Sequence, residues 1–298
     1  MTHTQRIGDI DVAWNQDGSG APLVFIHGLA EDRHTWAAQQ AAIRDRTTYA
    51  YDLRGHGDSS VGEGDGTAEQ LASDLLRFLE EVTGPATCVG FSLGGTVVLG
   101  AAASNPALVP HAIVLGTSSV VGRSAAEFFA SRIAMLEHGV TDEFRLALRA
   151  DTAAAISNTD VDVDAVTARR VTAVADGRGY INAARAMARV NTVPLTDVLP
   201  NVRVHVDVVG ADNDTTCVVL TGNGRGFCSG ADTSSDGGAP PNIEGLTLTS
   251  IATRAMGVLE YRRDGAGAVF HPVGTAEETT GHVSDQSRTV SVADRIIP

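Results

Sequence analysis

Ser92 lies in the run Gly90-Phe91-Ser92-Leu93-Gly94, within "VGFSLGG", a G-x-S-x-G spacing. A serine hydroxyl is a weak nucleophile at neutral pH. It attacks a carbonyl only when a neutral imidazole takes its proton and a carboxylate fixes that imidazole's tautomer. Small residues two before and two after the serine relieve crowding at a tight strand-to-helix turn. A second stretch, "IHGLAEDRHTW", ends a strand at His27-Gly28 and can turn a backbone N–H toward the serine. With the N–H of Leu93, the N–H of Leu29 would complete a two-donor oxyanion hole, where each donor is worth about 3 kcal/mol. The chemistry announced is acyl transfer.

The elements needed to position these groups are legible as alternating patterns. "PLVFIH" (22–27), "TTYAYDL" (47–53), "ATCVGF" (86–91) and "HAIVLG" (111–116) read as buried strands. "AEQLASDLLRFLEEV" (68–82) keeps helical spacing of its apolar residues, and "GGTVVLGAAAS" follows Ser92 as a helix. Apolar strands alternating with amphipathic helices predict a largely parallel sheet covered by helices. From 121 to 190 the strand pattern gives way to helices, as expected of a cap. It resumes in "NVRVHVDVVG" (201–210). "CVVLTG" reads as a strand able to pair at a sheet edge, 243–260 as a helix, and "GAVFHPV" as a strand.

Residues 1–216 and about 268–298 resemble the α/β-hydrolase superfamily, in its esterase and enol-lactonase branch. "HGLAEDRHTW", "YDLRGHGDSS" and "GFSLGG" carry the resemblance. It implies a Ser–acid–His order, a helical cap after the sixth strand and no cofactor. The family acid follows the seventh strand, which here points to Asp214, with Asp212 as the alternate. The family base sits in a Gly-His turn, matched by Gly281-His282, with His271 as a competitor. Val218 stands where relatives often carry proline. His27 and His56 read as turn histidines.

The stretch "VVLTGNGRGFCSGAD" resembles a different family, the first oxyanion motif of the crotonases (enoyl-CoA hydratases). That resemblance covers about 217–260 and lacks the second oxyanion turn and the acid/base glutamates. Acid and base are separated by 282 − 214 = 68 residues, so the chain reads as a mosaic. The expected organisation is a core over 1–120, a helical cap over 121–190, a core strand and acid turn over 191–216, a crotonase-like insert over 217–261, and a C-terminal strand, His turn and helix over 262–298.

Composition bounds the partners. Hydrophobic residues make up 43% of the 298 and charged residues 19%, enough to bury a core, and the net charge of −14 excludes a basic nucleic-acid surface. No apolar run reaches the ~18 residues of a membrane helix, and the start shows no signal pattern. Cys88, Cys217 and Cys228 lack metal-ligand spacing and suit a reducing cytoplasm. The expectation is a cytoplasmic α/β-hydrolase-fold serine hydrolase, without metal or cofactor, acting on a small ester or lactone. Phe128, Phe129 and Met135 are the candidates to line its acyl pocket. The alternatives are an inactive mosaic and, further off, enoyl-CoA hydratase-type chemistry.

Overall fold

Alternation of side chains along three apolar strands builds the centre of the molecule. In the strands β3 (Ala21–Ile26), β5 (Thr87–Phe91) and β6 (His111–Leu115), Leu23, Phe25, Val89, Ile113 and Leu115 face one side with Trp36 and Ile43. Val24, Ile26, Cys88, Ala112 and Val114 face the other. Both faces are apolar, so each must be covered, and the strands run parallel between helices. The computed structural model describes residues 2–118, 121–156, 160–212, 215–221, 257–261 and 268–272.

Around this centre an eight-stranded sheet forms in the order β1-β2-β4-β3-β5-β6-β7-β8, with β1 Thr2–Ile7, β2 Ile10–Gly18, β4 Arg46–Tyr51, β7 His205–Asp212 and β8 Thr215–Thr221. The pairs β3–β4, β3–β5, β5–β6 and β6–β7 are parallel. β1–β2, β2–β4 and β7–β8 are antiparallel. The mixed, mostly parallel sheet agrees with the sequence pattern. The polar run "THTQRI" of β1 gave no such warning, because an edge strand with one solvated face has no need of a continuous apolar run.

The helices α1 (Ala37–Ala42), α2 (Ala68–Phe78) and α3 (Leu93–Ser104) connect the strands. Thr67 caps α2 by accepting from the N–H of Gln70, and α2 buries Leu71, Leu75 and Phe78. α3 is buried nearly all round, with small residues alternating with Val97, Val98 and Leu99. Four helices follow β6: α4 (Arg123–Met135), α5 (Asp142–Ala155), α6 (Val163–Val174) and α7 (Arg178–Arg189). α7 buries Tyr180, Ala183, Ala184 and Met187.

β8 pairs at the edge of the sheet, as its sequence allows, returning antiparallel along β7 with a register shift between Gly210 and Asp212. One expectation changes. The end of the helix expected over 243–260 is a strand instead: β9 (Gly257–Tyr261) pairs antiparallel with β10 (Ala268–Pro272). Val258, Leu259 and Tyr261 are β-branched or bulky residues that suit a pleated pair, and pairing overrode a helical propensity.

Candidate active site

β5 ends at Phe91 and α3 begins at Leu93, so Ser92 alone carries the reversal from strand to helix. Its backbone stands at φ 52°, ψ −116°, a conformation that costs a residue with a Cβ about 1–3 kcal/mol. Surrounding bonds hold it there. The Ser92 N–H donates to the Leu115 carbonyl at 2.8 Å, and its own carbonyl accepts from the Gly95 N–H at 3.0 Å and the Thr117 hydroxyl at 3.1 Å. A Cβ on Gly90 would sit 2.3 Å from the Gly94 carbonyl oxygen, and one on Gly94 would sit 2.3 Å from that of Ile26. The motif's glycines are therefore demanded by backbone contact. Leu93 opens α3, so its N–H belongs to the four that lack an intrahelical acceptor, beside a half-buried Ser92.

The turn after β3 faces this elbow. His27 is fully buried. Its Nδ1 bonds the Gly28 carbonyl at 2.8 Å while its Nε2 accepts from the Leu53 N–H at 2.9 Å. That pattern fixes the tautomer and ties the turn to the loop after β4. Burial holds the His27 ring down to about 4, despite the favourable Gly28 bond. Burial, then repulsion from His27, puts His56 lower still, at about 3. Both rings are neutral struts at pH 7. The Gly28 N–H donates to Glu31 Oε2 at 3.1 Å, and Ala30 takes φ 60°. Burial raises the Glu31 carboxyl above its ordinary range, against the pull of Arg170.

The loop "YDLRGHGDSS" is braced by ion pairs. Buried Asp52 accepts from the Arg33 backbone N–H at 2.7 Å, from the Arg33 guanidinium, and from the Asp58 N–H at 2.9 Å. Arg54 Nη2 reaches Asp9 at 2.8 Å and Asp74 at 2.7 Å.

Asp212 ends β7 and pairs in register with Thr215. Asp214 and His282 lie outside the described residues. His271 is in β10, in register with Val258. Leu29 is half-buried in the turn and packs with Phe129 and Met135 against the cluster of Leu136, Phe144 and Tyr180. Phe128 is 37% exposed under the Arg132 guanidinium, 4.6 Å from the ring centre. Sequence reasoning passed over Glu31 and Arg170. Arg170 donates to the Leu29 carbonyl at 3.4 Å and the Thr152 hydroxyl at 2.8 Å. With Glu31, Asp32, His34 and Arg169 it lines a cavity of about 540 Å³ beside the turn. Glu31 is legible in "HGLAED", but Arg170 reaches it from a helix 139 residues on, which no local pattern reveals.

A strand, a strained serine, a helix and a facing strand-end turn on this sheet order define a class. The sequence profile of the α/β hydrolase fold matches residues 21–168. The chain has the α/β-hydrolase fold. It is 33% identical over 114 residues to the pyrrolizixenacetamide deacetylase of Xenorhabdus hominickii, covering 37% of this chain and 43% of that one. It is 30% identical over 129 residues to the 2-(acetamidomethylene)succinate hydrolase of Mesorhizobium japonicum, covering 43% and 46%. The chain thus matches less than half the length of these curated relatives. Among solved structures, the enol-lactonase of Burkholderia xenovorans superposes with a TM-score of 0.60 at 24% identity, over 69% of this chain and 80% of that one. These matches lend no support to the crotonase-like reading of 217–260. No helix among the described residues is long and apolar enough to cross a membrane.

Proposed function

We propose that the chain is a serine hydrolase acting on small carboxylic esters or lactones through an acyl-enzyme. Ser92 Oγ attacks the carbonyl as its proton passes to His282, which Asp214 orients, with Asp212 as the alternate acid. The N–H groups of Leu29 and Leu93 hold the oxyanion. His282 then protonates the leaving alkoxide, takes a proton from water, and the hydroxide so formed releases the acid. The observation that carries this reading is the strained Ser92 at the head of α3, held by three bonds and flanked by two glycines, Gly90 and Gly94, that backbone contact demands. The relatives' hydrolysis of amide and lactone bonds, given in their names, supports it.

A fluorophosphonate probe tests the proposal. Wild type is expected to label and Ser92→Ala to lose labelling; equal labelling of both overturns it. A second reading, a hydrolase fold whose triad does not assemble, rests on the antiparallel β7–β8 pair, in which the alternate acid Asp212 stands in register with Thr215. It is distinguished by His282→Ala, which on that reading leaves ester turnover unchanged.

A further inference from the structure

At the amino ends of β6 and β7, on the side of the sheet away from Ser92, three ligand-type side chains converge. His111 and His205 are register partners across the parallel pair, and Asp207, two residues beyond His205, falls on the same face. The Asp207 oxygens are 2.7 Å from His111 Nε2 and 2.9 Å from His205 Nε2. The three potential ligand atoms lie within 4.8 Å of one another. Asp207 is 2% exposed, whereas the two rings are partly open to solvent. Its described ion-pair partners are these two imidazoles, with no guanidinium among them.

We propose that His111, His205 and Asp207 form a binding site for a divalent transition-metal ion, with Zn²⁺ the ion it fits best. Two imidazole nitrogens and one carboxylate oxygen are a set Zn²⁺ accepts, with water completing a tetrahedron. At bond lengths of about 2.0–2.2 Å the ligand atoms must stand roughly 3.3 Å apart. The two hydrogen-bonded contacts, one to each Asp207 oxygen, are about half an ångström tighter, while separations within the set extend to as much as 4.8 Å, so rotations of the two exposed rings must open the former and close the latter. The proton balance is simple. Each neutral imidazole moves its Nε2 proton to Nδ1 and binds through Nε2, and the dication replaces two hydrogen bonds to a buried carboxylate. Calcium and magnesium, which favour oxygen ligands, do not suit this set. The ion would clamp β6 to β7. Ser92 follows the opposite end of its strand, so the metal takes no part in acyl transfer.

The test is calorimetric titration of the chelator-stripped full chain with ZnCl₂ under reducing conditions, repeated with CoCl₂ and read by absorbance. Expected are one equivalent of Zn²⁺ bound, a raised melting temperature, and Co²⁺ d–d bands without thiolate charge transfer. His205→Gln, at an exposed position that leaves folding intact, is expected to weaken binding about tenfold or more, and Asp207→Asn likewise. The absence of saturable binding overturns the proposal. So does wild-type affinity in His205→Gln, or a thiolate band that assigns the ion to Cys217 and Cys228.

Discussion

Ser92 holds a positive φ that few side chains adopt, while His27 gives up its charge to be buried in the facing turn. Both are local costs accepted where the surrounding structure over-determines the geometry. The His27 cost has a pH signature. Its ring titrates near 6.5 when unfolded and at about 4 when folded. Between those values the unfolded chain binds the extra proton, so stability rises with pH through the window and falls away as pH drops from 6.5 toward 4. The full difference is about 3 kcal/mol. Urea unfolding at intervals across this range is expected to show a shallower loss on acidification in His27→Gln than in wild type. His56 keeps a similar slope of its own, so the difference between the two curves isolates His27. Identical curves would mean His27 is not a neutral strut.

The β5–turn–α3 unit is the element on which the proposed chemistry depends, and its tolerance is set by backbone contact. A Cβ on Gly95 would meet the Thr117 hydroxyl at 1.8 Å. That hydroxyl bonds the Ser92 carbonyl, so Gly95→Ala should displace the elbow's own support. A loss of about 1–3 kcal/mol is expected by chemical denaturation, together with weaker fluorophosphonate labelling. Unchanged stability would mean that Thr117 is free to move aside. The glycine-serine spacing made this unit readable, because a strand, one residue and a helix are specified within the eighteen positions from Thr87 to Ser104. β10 was readable, as the strand "GAVFHPV", but the polar edge strand β1 and β9 were not readable in the same way. Their conformation comes from pairing partners, not from a periodicity of their own.

Across the whole molecule, Arg54 connects three elements distant in sequence: the β1–β2 turn at Asp9, the loop after β4, and α2 at Asp74. Its guanidinium holds the Asp9 carboxyl well below the usual range, while burial still raises that of Asp74. Arg54→Met would leave Asp74 buried without its hydrogen-bonded counter-charge. We expect a loss of about 3–5 kcal/mol in denaturant unfolding, partly recovered in the double variant Arg54→Met, Asp74→Leu. No recovery would show that the arginine acts through its bonds to the Val61 and Glu63 carbonyls instead.

The sequence by itself determined the class of fold, the position of the nucleophile candidate and the strand-end turn after β3 that is proposed to hold the oxyanion. Each is encoded in short runs whose periodicity, glycines and β-branched residues restrict the backbone locally. Only the tertiary structure decided that β8 runs back along β7 and that Arg170 reaches the turn at Leu29. It alone placed His111 beside His205 and Asp207. These are matters of register and of contact across up to 141 residues. They are settled when sheet pairing and burial of both faces are satisfied together, a condition that no window of the chain contains.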